Sequence, residues 1–373
     1  MKATACHRGA ILPLLFLLLA AVFLLKNTEI AANGIKKGLN LASTALIPSL
    51  LPFLVLSNLM IETGAITPLT RLMEKPLHLA FGLSKNGTAA LLLGVLCGLP
   101  VGTVSAITML KNGQISKKEF DRLLLISGTP STGFLISAVG RSLFGNVEAG
   151  AVLFLLALFS CAVTGVILRL LDGNLETPSH FAATTAPKIP FYTQFTGAVR
   201  QGFATALEIT GFVAFFSALA ECVRTAARQY ARLPIWSVLP VGLLELTAGV
   251  HEAAGALPSE SAFCLCAFFV GFAGLSVCMQ LFSISAAARP RLLPYLGARL
   301  FQGLLCSLLA TLYLALRRPV FRVASQSAIE ANATLGTRLP LFTLTTAFLA
   351  ILFCLTLPAL FKARLVRFVR TKK

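Results

Sequence analysis

The feature that most constrains this sequence is a charge-free apolar run with helix-breaking residues at its centre. Residues 88–110 carry no charge and are long enough to cross a bilayer, which takes about 20 apolar residues. Yet three glycines and Pro100 lie in the middle of the run, at positions 94, 98, 100 and 102. Proline and glycine weaken a helix, and backbone groups left unpaired in hydrocarbon are costly. The run therefore predicts either a membrane helix broken at mid-depth, as in transporter solute sites, or a helix whose glycines pack closely against a neighbour.

The composition places this run in a polytopic helical membrane protein. Of the 373 residues, 56% are hydrophobic and 12% are charged, whereas soluble domains carry roughly 25% charged residues. The formal charge of +18 arises because 14 acidic residues stand against 32 Lys and Arg. The basic residues are scattered over the ends of apolar runs, which is typical of loops that set orientation and contact the lipid bilayer. A nucleic-acid partner is not expected, because it needs basic residues grouped on one face.

No metal site, cofactor or enzyme activity is predicted. Seven of the nine cysteines lie inside apolar runs, and the sequence has no CxxC pair. His251 and Glu252 begin like a zincin helix, but the second histidine that would complete the ligand pair is absent. Since neither an HExxH motif nor an intramembrane Asp pair occurs, we expect a protein that is not an enzyme.

A second interruption and two carboxylates mark further candidate positions. The run 123–140 contains Ser127-Gly-Thr-Pro-Ser-Thr-Gly133, which predicts a solute site or, as the alternative, a kinked helix packed in protein. Glu208 and Glu245 lie inside apolar runs, where ionisable residues are functional candidates by default. We expect them to couple a proton or cation or to anchor hydrogen bonds, and a purely structural role is the alternative. The predicted substrate-binding residues are Gly98, Pro100, Gly102, Ser127, Thr129, Ser131, Thr132 and Gln280.

Two halves of the chain echo each other in order, although their identity is thin. Residues 47–53 align with 209–215, residues 94–97 with 242–245, and residues 130–136 with 271–277. Interrupted segments at matching places in two halves point to a transporter binding site. The predicted domains are an N-terminal membrane helix and short linker (1–37), a first repeat (38–171), a polar linker loop (172–199), a second repeat (200–316), and a basic loop, last membrane helix and basic tail (317–373).

Local signals complete the prediction. Residues 62–87 are expected to form a loop, and Ser116 to begin a short amphipathic helix as the N-cap of a capping box with Glu119. The runs 10–25 and 339–361 are expected to be the first and last membrane helices. The basic tail is expected to be cytoplasmic. If one first-half segment is a re-entrant hairpin, the basic loop 111–122 falls on the same side as that tail, but the basic loop 317–338 still disagrees, so the number of spans stays open.

At several short motifs the chain resembles the YlbJ family of sporulation integral membrane proteins. These belong to the wider group with a nucleoside-recognition, or Gate, domain, which is also related to parts of concentrative nucleoside transporters. The likeness covers most of residues 35–316 and makes both repeats gate-like. At the second interruption this chain departs from the Asn-containing turn of such proteins. The matching motifs are Ile47-Pro-Ser-Leu-Leu-Pro-Phe53, Gly98-Leu-Pro-Val-Gly102, Lys111-Asn-Gly-Gln-Ile-Ser-Lys-Lys-Glu119, Leu135-Ile-Ser-Ala-Val-Gly140 and Gly242-Leu-Leu-Glu-Leu-Thr247.

The resemblance implies a permease in the cell or forespore membrane of endospore-forming bacteria, with dipicolinate as the leading solute. The expected fold is all-α, with two repeated halves and discontinuous or re-entrant membrane helices. The expected mechanism is alternating access at a midplane site for a small polar or anionic solute, with a coupling proton or cation. A non-transporting scaffold for spore assembly is the alternative, and the formation of a homo-oligomer stays open.

Overall fold

The computed structural model of the chain describes residues 18, 21–172, 190–230 and 233–317. Most of the expected first membrane helix, the basic loop from residue 318, the expected last membrane helix and the basic tail lie outside the described residues. In the described part of the chain, every regular element is a helix.

From Thr28 to Asp172, the described part of the first half contains eight helices, seven of them short and one long. A π-helical turn, Ala42–Leu46, joins the first two of them. The helix that follows the second predicted interruption is itself π-helical and is labelled α7. The bounds are α1 Thr28–Leu41, α2 Ile47–Glu62, α3 Thr67–Phe81, α4 Lys85–Cys97, α5 Leu99–Lys111, α6 Lys117–Ile126, α7 Phe134–Leu143 and α8 Val147–Asp172.

The second half begins with the longest described helix, which has 40 residues. This helix starts inside the stretch expected to be a polar linker, so the described helical structure of the second half begins before residue 200. A short 3-10 turn, Ala286–Ala288, precedes the last described helix. The bounds are α9 Phe191–Tyr230, α10 Ile235–Leu244, α11 Leu246–Ala256, α12 Ser259–Phe272, α13 Gly274–Ile284 and α14 Leu292–Arg317.

Four segments in the described residues are long and apolar enough to cross a membrane. A fifth candidate is a pair of helices, Leu50–Glu62 and Thr67–Phe81, which are bent by 86° relative to each other. The expected all-α, polytopic membrane fold is therefore confirmed. The four single spans are Val147–Asp172, Phe191–Gln229, Ser259–Ile284 and Leu292–Arg317.

The interrupted run 88–110 folds as a tight helical hairpin made of α4 and α5. In one continuous helix, Gly94 and Gly102 would lie about 12 Å apart. Instead, a Cβ placed on Gly102 would come within 2.6 Å of the Gly94 Cα. The chain reverses at Gly98, whose φ of 100° favours glycine. The broken helix and the close glycine packing, which the sequence offered as alternatives, therefore occur together: the helix is broken, and its glycines pack one arm against the other.

The arms of this first hairpin are too short to cross a membrane singly. Each arm has 13 residues and is therefore about 20 Å long, short of the hydrocarbon thickness of about 30 Å. Its two ends are joined, since Asn86 Nδ2 donates a hydrogen bond of 3.0 Å to the carbonyl of Gln114. The chain thus enters and leaves this hairpin on one side.

A second tight hairpin is made of α10 and α11. Gly242 and Gly249 face each other so closely that a Cβ on Gly249 would collide with the Gly242 Cα. Between the two helices, Glu245 has an extended backbone with φ of −140° and ψ of 121°. Glu245 therefore lies at the tip of the second hairpin, as Gly98 does in the first.

Each hairpin tip lies against an interruption in the helical segment that follows it. In the first half, helical structure stops at residues 127–131, and the Leu99 amide donates a 2.9 Å hydrogen bond to the Thr129 carbonyl. In the second half, Ala273 has a φ of 69° and separates α12 from α13. There, a Cβ on Gly274 would lie 3.0 Å from the amide nitrogen of Leu246.

The two halves share one apolar core. The largest buried cluster combines Val139 and Phe144 from the first half with Phe263 and Phe269 from α12. The Phe144 and Phe263 rings meet edge to face, with centroids 5.7 Å apart. The described interruptions are therefore held within a packed helical body.

Two local predictions meet the structure differently. The stretch 62–87, expected to be a loop, contains α3, so that expectation is wrong for residues 67–81. Ser116 is the N-cap of α6 as predicted, with the Glu119 amide donating to its Oγ at 3.2 Å. The Glu119 carboxylate instead accepts a 2.6 Å hydrogen bond from the Ser84 amide, which ties α6 to the start of α4.

Candidate functional site

The first group of predicted site residues gathers at the tip of the first hairpin. A Cβ on Gly98 would lie 3.0 Å from the Ser131 amide nitrogen, and one on Gly102 would lie 3.4 Å from the Ser127 Cβ. Thr129 is 1% exposed and accepts the hydrogen bond from the amide next to the tip. The structure therefore brings together five of the eight predicted substrate-binding residues. Pro100 adjoins them in the first turn of α5, and Thr132 follows Ser131 in the chain.

The hydroxyls of this group differ in their hydrogen bonding. Ser127 Oγ donates to its own helix, to the Leu123 carbonyl at 2.7 Å. Ser131 Oγ accepts from the Phe134 amide at 3.3 Å and so supports the start of α7. Thr129 Oγ1 is buried and has no hydrogen-bond partner among the described residues. Among the hydroxyls of this interruption, that of Thr129 is thus the one that makes no hydrogen bond within the described residues.

A buried arginine that the sequence analysis did not single out lies beside the interruption. Arg299 of α14 is 1% exposed, and its Nη1 donates to the Gly128 carbonyl at 2.7 Å and to Gln302 Oε1 at 3.0 Å. Its guanidinium lies 5.1 Å from the centroid of the Tyr295 ring. The guanidinium packs directly on Gly128, because a Cβ there would collide with it and force the arginine to move. The signal was present in the sequence, since Arg299 lies inside the apolar run 292–316.

Gln302, one helical turn after the arginine, completes this contact. Its Nε2 donates to the Leu125 carbonyl at 2.9 Å and to Thr164 Oγ1 at 3.1 Å. Carbonyls at the end of a helix lack intrahelical partners and must be satisfied in another way. Helix α14 therefore stabilises the end of α6 and the interruption that follows it.

The second group of candidates surrounds a cavity of about 390 Å³ at the tip of the second hairpin. Glu245 lines this cavity, is 2% exposed, and accepts a 2.6 Å hydrogen bond from the Ala248 amide through Oε2. It is therefore the N-cap of α11, where the helix dipole favours a negative charge. The other polar or charged residues of the lining are Lys37, Asn40, Thr44, Ser217, Glu221, Arg224, Thr247, His251 and Glu252.

A chain of ion pairs borders the same cavity and joins α1, α9 and α11. Glu221 Oε1 lies 2.8 Å from Lys37 Nζ and also pairs with Arg224. Glu252 lies 2.6 Å from Arg228 and 3.7 Å from Arg224. Glu245 differs from these two acids, because no described basic residue forms an ion pair with it.

The two remaining predicted residues lie away from the cavity lining. Glu208 accepts a hydrogen bond from the Ser283 hydroxyl and so links α9 to α13. Gln280 is buried, and its Nε2 donates to Ser276 Oγ at 3.1 Å within α13. The structure thus separates the two predicted carboxylates, with Glu245 in the cavity and Glu208 at a helix contact.

The described residues include no group of three or more His, Cys, Asp or Glu side chains arranged to hold a metal ion. The first tip offers backbone groups, an arginine and the Thr129 hydroxyl, which has no partner within the described part of the chain. The second tip offers a carboxylate in a polar cavity.

Comparison with known proteins gives one informative match. Over 322 residues the chain is 26% identical to the sporulation integral membrane protein YlbJ of Bacillus subtilis (strain 168), and the alignment covers 77% of this chain and 78% of that protein. The expected resemblance to YlbJ-type sporulation membrane proteins is confirmed. The chain is an integral membrane protein. No family model matches it, and no solved structure matches it significantly, so a relationship to Gate-domain proteins stays a prediction.

Proposed function

We propose that this protein is a permease that moves a small polar or anionic solute across a membrane by alternating access. The observation that carries the proposal is the pair of short hairpins, each with its tip against a helix interruption. Non-helical backbone at membrane depth is tolerated where it is buried in protein or lines a wet cavity. Discontinuous helices of this kind form the solute sites of many secondary transporters.

The order of elements supports two inverted repeats. A re-entrant hairpin, an interrupted helical segment and a helix of 26 residues occur at 85–172 and again at 235–317. We take the interrupted segment 117–143 as a membrane crossing, like its counterpart Ser259–Ile284 in the second half; together with the candidate spans of α8 and α9 it makes three crossings between the two hairpins. Because three crossings are an odd number, the hairpins enter from opposite sides. Such pseudo-symmetry underlies alternating access in many secondary transporters.

The proposed solute is a carboxylate, with dipicolinate as the first candidate. The YlbJ relative is named a sporulation protein, and the resemblance to its family implies passage of dipicolinate during spore formation. A formal charge of +18 favours approach of anions to the protein surface. In this mechanism Glu245 is the coupling carboxylate, because it lines a polar cavity and makes no ion pair within the described part of the chain.

Uptake into proteoliposomes tests the proposal. Purified full-length protein is reconstituted into vesicles loaded with Tb³⁺, which becomes strongly luminescent when dipicolinate binds it. We expect dipicolinate entry that depends on the protein and that saturates with concentration. Protein-free vesicles and vesicles with heat-denatured protein are the controls. Absence of dipicolinate entry would remove this substrate, and absence of entry for a wider panel of carboxylates and nucleosides would remove the permease.

A scaffold for spore assembly is the second candidate, and close glycine packing favours it. In both hairpins the arms meet at glycines, which also suits a role in which the membrane helices only present a rigid surface. Deletion of the gene in its own host separates the two functions. A scaffold predicts defective spores whose solute content per spore is normal, whereas a permease predicts spores depleted of the solute.

A further inference from the structure

Arg299 is a buried cation without a carboxylate partner in the part of the chain that the structure describes. Removing a charge from water costs several kcal/mol unless a counter-charge or a full set of hydrogen bonds compensates it. Its two acceptors, the Gly128 carbonyl and Gln302 Oε1, both bind Nη1. Its Nε and Nη2 have no acceptor among the described residues.

Another buried arginine of the same chain shows the contrast. Arg122 is 3% exposed, donates to the Phe81 carbonyl at 2.8 Å and lies 3.8 Å from a carboxylate oxygen of Asp172. Arg122 therefore has the acidic partner that a structural arginine needs. Arg299 has only neutral protein partners, so the group that would balance its charge is not supplied by the described residues.

The free atoms of Arg299 have a geometry with a known use. Nε and Nη2 form one edge of the planar guanidinium, and this edge binds both oxygens of a carboxylate through two parallel hydrogen bonds. The opposite side of the group, Nη1, is occupied by the interruption itself. The guanidinium packs beside Gly128 and Tyr295, with Nη1 committed to the fold, and Nε and Nη2 are the donors that have no acceptor among the described residues.

The position of Arg299 connects this edge to the first hairpin. The Gly128 carbonyl accepts a hydrogen bond from Arg299. The next residue is Thr129, whose carbonyl accepts a hydrogen bond from the Leu99 amide at the hairpin tip. The hydroxyl of Thr129 also lacks a partner among the described residues. Arg299, Gly128 and Thr129 thus connect α14, the interruption and the first hairpin, which are elements from both halves.

We propose that Arg299 binds a carboxylate of the transported solute through Nε and Nη2, with the Thr129 hydroxyl as a second donor. The inference rests on the proposed permease function and gives its site a charge that selects anions. It also gives the two hairpin tips different roles. The first tip recognises the solute anion, and the second carries the coupling carboxylate.

Ligand-dependent thermal stability of the detergent-solubilised full-length chain tests the inference. The probes are dipicolinate and its neutral diamide, which has the same ring without the charges. We expect dipicolinate, and not the diamide, to raise the unfolding temperature of the wild type. Arg299→Gln and Arg299→Lys are expected to weaken the apparent dipicolinate affinity by about tenfold or more, since hydrogen bonds to a charged group are lost.

The lysine variant and a control variant distinguish loss of dipicolinate binding from simple misfolding. Arg299→Lys keeps the buried charge and a donor for the Gly128 carbonyl, so it remains the deciding variant if Arg299→Gln does not fold. Arg122→Gln is expected to lower the unfolding temperature without ligand and to leave the dipicolinate affinity unchanged. If both Arg299 variants bind dipicolinate as the wild type does, or if the wild type binds neither probe, the inference is wrong.

Uptake separates failure of the inference from failure of the permease. Wild-type protein that binds dipicolinate through Arg299 but does not carry it into vesicles contradicts the permease and leaves the carboxylate site in place. Normal saturable uptake by Arg299→Lys, with an unchanged concentration for half-maximal rate, contradicts the carboxylate site and leaves the permease in place.

Discussion

At the scale of single residues, Glu245 has a hydrogen-bonding role and a charge that substitution can separate. Its Oε2 caps α11 through the Ala248 amide at 2.6 Å. Glu245→Gln keeps an acceptor but cannot bind or release a proton, so we expect a folded protein whose dipicolinate uptake no longer responds to an inward proton gradient. Glu245→Ala also loses the cap, and we expect it to be less stable by about 1 kcal/mol. Uptake with and without the gradient, together with the unfolding temperature, measures both effects.

Two other carboxylates control this experiment. Glu148 is exposed and accepts a 3.0 Å hydrogen bond from the Tyr313 hydroxyl, so Glu148→Gln should leave the gradient response intact. Glu208→Gln tests the second predicted carboxylate, which lies at the contact between α9 and α13. A normal gradient response in Glu245→Gln would exclude this residue as the coupler. If the response is lost in Glu208→Gln alone, the coupling role belongs to Glu208.

At this scale, the sequence could predict a residue's role where its neighbours are close along the chain, and could not where they are distant. The rule that intramembrane charges are functional candidates singled out Glu245, and it applies equally to Arg299. The interruption at residues 127–131 could be located from its own composition. Its contact with Arg299 could not, because these residues are 171 positions apart and meet only through packing of the two halves.

At the scale of elements, close packing of the hairpin arms predicts a sharp penalty for added volume. A Cβ on Gly102 would come within 2.6 Å of the Gly94 backbone, which cannot move aside as a side chain can. We expect Gly102→Ala to destabilise the protein by about 1–3 kcal/mol, the usual cost of overpacking. The thermal unfolding midpoint in detergent, followed by circular dichroism, measures this change.

Gly211 provides a matched control in a long helix. A Cβ at this position of α9 would meet no atom within 4 Å. Gly211→Ala should therefore be neutral or stabilising by about 0.4–1 kcal/mol, because alanine reduces the entropy of the unfolded chain. Equal unfolding midpoints for the Gly102 and Gly211 variants would contradict the tight hairpin.

Elements with local signals were predictable, and those defined by tertiary contacts were not. The N-cap Ser116 and the breaks near Gly98 and at residues 127–131 follow from short-range chemistry of turns and caps. Helix α3 was missed because the basic side chains of Arg71, Lys75 and Lys85 suggested a loop. The reversal of the chain at Gly98 could not be predicted from the sequence, because the same glycines are also compatible with a kinked helix that crosses the membrane.

At the scale of the whole molecule, the proposed re-entrance of both hairpins changes the count of membrane crossings. The sequence has ten apolar runs, and if all ten were full spans, the basic loop 111–122 and the basic tail would lie on opposite sides, against the positive-inside rule. With both hairpins re-entrant, an even number of crossings follows that loop, so loop and tail share one side. Four of these crossings are the candidate spans Val147–Asp172, Phe191–Gln229, Ser259–Ile284 and Leu292–Arg317. The other two are proposed, one at the interrupted segment 117–143 and one at the apolar run 339–361.

This arrangement predicts a labelling pattern for single cysteines placed at the ends of the hairpins. In a cysteine-free background, Lys85→Cys and Asn112→Cys should react with a membrane-impermeant maleimide from one side. Leu233→Cys and Glu260→Cys should both react from the other side, because three crossings separate the hairpins. Accessibility in sealed right-side-out and inside-out vesicles measures the pattern.

The helix α8 supplies the control, since Glu148→Cys and Asp172→Cys at its two ends should react from opposite sides. If the sites at 85 and 112 also react from opposite sides, the run 88–110 crosses the membrane and the first hairpin is not re-entrant. If all four hairpin sites react from the same side, both hairpins are re-entrant but the repeats are parallel. A rocking motion between inverted halves would then be excluded, because alternating access by that route needs hairpins that approach the midplane from opposite surfaces.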